Sequence, residues 1–158
     1  CNALVYFPLF ELIQFKNEEC VTSDNLTGTC YTLTECALYG GVPRGICAAG
    51  FCVCCFWNVT CGGTAVRNRT YFINPHYPLP IMQEIRCAVT ILKPLSMAKS
   101  IYELRINFRI FQMSQPTFGH CSIDAFSVVD YIERIPVICG NNDGLHSKFK
   151  RNEYSNEE

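Results

Sequence analysis

Twelve cysteines at uneven intervals constrain this chain more than any other feature. At that density a disulfide scaffold is the default reading. Reducing compartments keep thiols reduced, so such a framework belongs outside the cytosol. The rival reading, a metal site, wants regularly repeated pairs of cysteine and histidine ligands. His76 and His146 stand more than five residues from any cysteine, and His120 directly precedes Cys121. Neighbours on an extended strand point to opposite faces, which makes His120 and Cys121 a poor joint ligand set. No metal and no cofactor are expected.

The formal net charge is −1 and charged residues make up 17%, so no long-range field favours nucleic acid or an anionic membrane surface. Three acceptor triplets for N-glycosylation, beginning at Asn25, Asn58 and Asn68, fit passage through the secretory route. The most apolar stretch, residues 3–10, contains Pro8 and ends at Glu11. It is far short of the roughly twenty residues a membrane span requires. It also lacks the basic start and small-residue cleavage site of a signal peptide. A chain starting at Cys1 reads as a mature protein or a fragment, and a secreted, extracellular location is expected.

Residues 1–60 hold eight of the cysteines, and residues 61–140 hold four. The first stretch reads as a loop-rich unit held by disulfides rather than by a large core. Beyond it the pattern turns to short alternating segments. In 102–111, Leu104, Ile106, Phe108 and Ile110 fall on one face, while Glu103, Arg105, Asn107 and Arg109 fall on the other. Ile85, Cys87, Val89 and Ile91 alternate in the same manner. A strand beginning at Tyr71 runs into the proline-marked turn Asn74-Pro75-His76-Tyr77-Pro78, and Asn141-Asn142-Asp143-Gly144 marks another turn. Short strands with turns between them predict an antiparallel sandwich. The border near residue 60, with Phe56 and Trp57 beside it, is too apolar for a free linker, so the two parts should pack together. The expected division is a cysteine-rich module at 1–60, a β-sandwich at 61–146 and a polar, frayed tail at 147–158. Lys148, Lys150 and Arg151 in that tail are read as solvated charges rather than a heparin patch.

The second half resembles CUB domains, extracellular modules of complement proteases, developmental metalloproteases and many arthropod secreted proteins. The matching residues are Cys61-Gly62-Gly63, then Asn74-Pro75-His76-Tyr77-Pro78, then Cys87. They continue with Leu104-Arg105-Ile106-Asn107-Phe108, Cys121-Ser122-Ile123-Asp124 and Cys139-Gly140. This resemblance implies a jelly-roll-like antiparallel β-sandwich with bridges Cys61–Cys87 and Cys121–Cys139. The first half resembles the arthropod clip module in its six cysteines ending in an adjacent pair. That similarity implies Cys20–Cys54, Cys30–Cys47 and Cys36–Cys55, whereas sequence alone permits fifteen connectivities.

The combined layout is similar to a group of insect CUB proteins. In those proteins an extra bridge joins two cysteines whose places are held here by Arg69 and residues 101–103. Cys1 and Cys52 are left over, to pair with each other, remain thiols or bond between molecules. A CUB sandwich also continues for several strands beyond the position of Cys139-Gly140, so the sequence reads as one cut short.

Many CUB domains bind calcium, which takes six to eight oxygens. Asp124 matches one ligand position, but residues 112–116 contain no carboxylate for a second. Asp124 is therefore read as a surface or structural residue. No serine-histidine arrangement of a hydrolase is present, and the carboxylates show no paired spacing, so no catalytic residue is assigned. The remaining class is recognition of an extracellular protein or glycan through the loop at 112–120. Met113 and Phe118 are its candidate anchors, set against a role for Phe118 in capping the core. The other reading is the non-catalytic regulatory front end of a clip/CUB serine protease zymogen.

Overall fold

The structure, a computed structural model, describes residues 16–92, 103–129 and 136–150. The expectations for Cys1, the apolar stretch at 3–10 and the tail at 151–158 fall outside the described residues. The fold is mainly β, with disulfide staples and largely antiparallel pairing. It divides into two compact units, Cys1–Pro94 and Leu95–Glu158.

The first unit is organised around β4 (Cys52–Val59), whose Cys52, Cys54, Cys55, Phe56 and Trp57 are all buried. A short apolar run of that kind suits a strand covered on both faces. The strand β2 (Thr27–Tyr31) and the bulged strand β3 (Val42–Cys47) both pair antiparallel with β4, and β1 (Glu19–Val21) pairs with β2. Between β2 and β3, α1 (Leu33–Leu38) starts at a capping box. The Thr32 side chain accepts from the Glu35 amide, and the Glu35 carboxylate accepts from the Thr32 amide.

The adjacent Cys54 and Cys55 point to opposite faces of β4. One face is closed by Cys20–Cys54 from β1, and the other by Cys36–Cys55 from α1. Cys30–Cys47 ties β2 to the end of β3. Two small clusters result, one around Cys30 and Cys52 and one around Cys36, Cys55 and Trp57. Tyr31 and Tyr39 pack against the second cluster, and the Trp57 indole N–H donates to the Tyr39 carbonyl at 3.0 Å. Sulfur and aromatic rings replace the aliphatic core that so small a unit cannot assemble.

Residues on both sides of position 60 share one sheet. β4 continues past Cys55 and takes β6 (Thr70–Phe72) as a parallel partner, Trp57 opposite Thr70. Phe56 and Tyr71 form the seam between residues 1–60 and those that follow. Their rings lie 4.8 Å apart, and the Tyr71 hydroxyl accepts the Thr27 N–H at 2.9 Å. Arg69 pairs with Glu19 at 2.8 Å and donates to Thr29 Oγ1 at 3.2 Å.

Next to β6 the Asn74 side chain closes the proline-marked turn. It accepts from the His76 N–H and donates to the Leu79 carbonyl. Of the strand expected across Ile85, Cys87, Val89 and Ile91, only β7 (Thr90–Ile91) forms, parallel to β5 (Thr64–Ala65), and just ahead of it the Ala88 carbonyl accepts from the Gly62 N–H. A parallel pair needs a long crossover. Residues 66–89 supply it, with Cys61–Cys87 at its base.

In the second unit β8 (Glu103–Asn107) pairs antiparallel with β9 (His146–Lys150). Leu104 and Ile106 are half-buried and Phe108 is buried, while Glu103, Arg105 and Asn107 face solvent, as the alternation predicts. The register breaks at a bend over 109–110, which leaves Ile110 exposed. The tail read as frayed from residue 147 is strand as far as Lys150, with Phe149 opposite Leu104 and Ser147 opposite Ile106. Phe108, Phe111 and Phe126 form an aromatic triad with centroids 4.7 to 5.8 Å apart. An isolated bridge between Phe126 and Ile138 runs beside Cys121–Cys139.

Candidate recognition loop

The loop at 112–120 is anchored at its base and free at its tip. At the base, Asp143 reaches from the 141–144 turn and accepts from the Phe111 amide and from Gln112 Nε2, the latter at 2.7 Å. The Met113 N–H donates to the Gly140 carbonyl, and the Gly140 N–H donates to the Ser114 carbonyl. Asp124 then takes both the Ser114 amide, at 3.0 Å, and the Ser114 hydroxyl on a single carboxylate oxygen. Gly140 has φ +79°, in the left-handed region that favours glycine, and a Cβ there would stand 3.1 Å from Gln115 Oε1, the end of a flexible side chain.

At the tip, Thr117 and His120 exchange both backbone hydrogen bonds around Phe118 and Gly119. Phe118 has φ +51° and Gly119 φ +80°, the two positive values of a type I′ hairpin turn. That turn sends the Phe118 side chain into solvent, and its exposure is 97%. It caps no core. Met113 is half-buried, close to the pinned base of the loop. A phenylalanine in the left-handed region is uncommon, because its side chain crowds the backbone there.

The Ser114 hydroxyl, and after it the Ser114 amide, hold the Asp124 carboxyl below its ordinary 3.8. The Gln112 side chain, and after it the Phe111 amide, do the same for Asp143. A depressed folded-state pKa means that these anchors are complete above the unfolded value and are lost as pH falls through the folded value. The Ser114 amide resonance should therefore titrate with a midpoint below 3.8, and in Asp124→Ala that step should vanish. A midpoint at or above 3.8 would show that the anchor is not formed in solution.

Asp124 thus serves as a loop anchor through Ser114, and Asp143 is a second anchor that the sequence pattern marked only as a turn residue. His76 and His120 are exposed, and His146 lies on β9. Among the described residues, no three side chains of His, Cys, Asp and Glu gather to hold a metal. Nor, among them, is any helix long and apolar enough to cross a membrane. The sequon residues Asn25, Asn58 and Asn68 are all exposed, Asn25 in the β1–β2 connection with φ +58° and Asn58 on β4. The five bridges Cys20–Cys54, Cys30–Cys47, Cys36–Cys55, Cys61–Cys87 and Cys121–Cys139 are those the two resemblances imply. Cys52 is also disulfide-bonded. No family model, no curated protein and no solved structure matches the chain.

Proposed function

We propose that this chain is a secreted, non-enzymatic recognition protein. In this reading a clip-like module is joined to a CUB-type β-sandwich, and the loop at 112–120 engages an extracellular protein or glycan. The observation that carries it is Phe118, 97% exposed at the tip of a hairpin whose base is fastened by Asp124, Asp143 and Cys121–Cys139. A rigid loop bearing a solvated aromatic ring loses little conformational entropy on binding. Burying that ring contributes about 1.5–3 kcal/mol. The disulfide framework fits an oxidising compartment, and the three exposed sequons fit N-glycosylation on the way there.

The test is binding of the purified, secreted chain to arrays of extracellular proteins and glycans. Phe118→Ser should weaken the selected partner's affinity about 10- to 100-fold, with the melting temperature unchanged. Unaltered affinity, or no partner on either array, would remove the loop from the proposal. Turnover of peptide or glycoside substrates by the purified chain would overturn its non-enzymatic half.

A further inference from the structure

The sequon at Asn58 differs from the other two in being built into a strand. Asparagine is a poor strand former, yet Asn58 directly follows the buried run of β4, and it is exposed. Its side chain takes no hydrogen-bond partner among the described residues, whereas Asn68 Oδ1 accepts from the Arg69 N–H at 2.9 Å. Alternate residues of a strand share a face, so Asn58 lies on the side of Phe56 and away from Trp57. Parallel register sets Asn58 opposite Tyr71, at the strand spacing of about 4.8 Å. The Tyr71 ring is fixed from two directions. Phe56 packs against it with centroids 4.8 Å apart, and its hydroxyl accepts the Thr27 N–H at 2.9 Å. Tyr71 is nevertheless only half-buried, and Thr60, which completes the acceptor triplet, is exposed.

We propose that Asn58 carries an N-linked glycan whose first N-acetylglucosamine lies against the Tyr71 ring and covers the β4–β6 seam. The glycan is then part of the fold, and the proposal rests on the secretory reading above. In the covalent step Asn58 Nδ2 attacks C1 of the first N-acetylglucosamine of a lipid-diphosphate-linked oligosaccharide. The N–C1 bond forms, the C1–O bond to the diphosphate breaks, the lipid diphosphate leaves and the amide gives up one proton. Attachment takes place on the extended chain, and folding then brings Tyr71 beside the sugar. One face of the sugar ring consists of C–H groups, whose slight positive charge is attracted to the negative face of an aromatic ring. A polar residue with no partner at the end of β4 thereby becomes the tether of an apolar cover for the residue opposite it. The loop at 112–120 takes no part.

The test uses the chain secreted from cultured eukaryotic cells, with its glycans trimmed enzymatically to the single core N-acetylglucosamine. Peptide mass spectrometry should find Asn58 occupied, and trimming should leave the melting temperature unchanged. Asn58→Gln and Thr60→Ala remove the acceptor through different exposed side chains. Each should lower the melting temperature by the same amount, about 4 °C. In a Tyr71→Leu background, which also loses the bond to Thr27, Asn58→Gln should cause no further loss. Proton NMR of the trimmed, unsubstituted chain asks the same question without a variant that must fold. The C–H signals of the Asn58-linked sugar should move upfield in the aromatic ring current and show nuclear Overhauser contacts to Tyr71. A bare Asn58 beside an occupied Asn25 or Asn68 overturns the proposal and leaves the secretory reading standing. So does an occupied Asn58 whose loss leaves melting unchanged, or whose sugar signals are unshifted. Absence of glycan from all three sequons of the secreted chain overturns the secretory reading and the proposal together.

Discussion

Cys36→Ala/Cys55→Ala should lower the stability of the first unit by about 3–5 kcal/mol, read as a fall in its melting temperature. Both sulfurs are at 0% exposure, and the bridge joins α1 to β4 across the cluster that holds Trp57. Cross-linking across 19 residues contributes about 3 kcal/mol through the entropy of the unfolded chain. Removing two buried sulfur atoms adds a cavity cost of about 1 kcal/mol each where the surroundings cannot collapse. Cys61→Ala/Cys87→Ala separates these two contributions. Its loop spans 26 residues, so chain entropy alone makes it the costlier loss by about 0.3 kcal/mol. Its cysteines are only half-buried, so the cavity contribution is small and packing reverses the order. If the Cys61–Cys87 variant melts lower, the interior around Cys36 and Cys55 is not packed as the structure has it.

Gly41→Ala should cost about 2–3 kcal/mol, the upper range for an overpacked core. A Cβ at Gly41 would stand inside van der Waals contact of Cys55 Sγ and 3.0 Å from the Trp57 indole. Neither neighbour can retreat. The sulfur is held by its bridge to Cys36, and the indole by its hydrogen bond to the Tyr39 carbonyl. The same substitution in the Cys36→Ala/Cys55→Ala background meets the indole alone, so its cost should fall by more than half. Urea midpoints of the four proteins give the coupling directly. Additive losses would mean that Gly41 and the bridge do not touch, and that another constraint requires glycine at that position.

Much of the local structure is legible without coordinates. The alternation of Leu104, Ile106 and Phe108 with Glu103, Arg105 and Asn107 depends on strand geometry alone and reappears as β8. The turn at 74–78 follows from Asn74 and its prolines, which need only neighbouring backbone atoms to close it. Three other features were illegible. β9 carries Lys148 and Lys150, and its apolar side consists of one phenylalanine and a serine, too little to set it apart from a solvated tail. The division near residue 94 follows from β6, inside the Cys61–Cys87 loop, joining β4 in parallel across residues 60–69. Phe118 carried equal expectations of a core cap and of an exposed tip, and the two positive φ values of its turn decide for exposure.

The sequence by itself determined a mainly β chain whose stability rests on cystine in place of a large core. That conclusion requires only the number of cysteines and the two-residue period of the apolar positions. Tertiary structure alone decided which surfaces are free to act. It bridged Cys54 to β1 and Cys55 to α1 on the two faces of one buried strand, used Asp124 and Asp143 to fasten a loop, and set Arg105 against Lys148. Each of these depends on contacts between residues distant in the chain, and local pattern carries no information about such contacts.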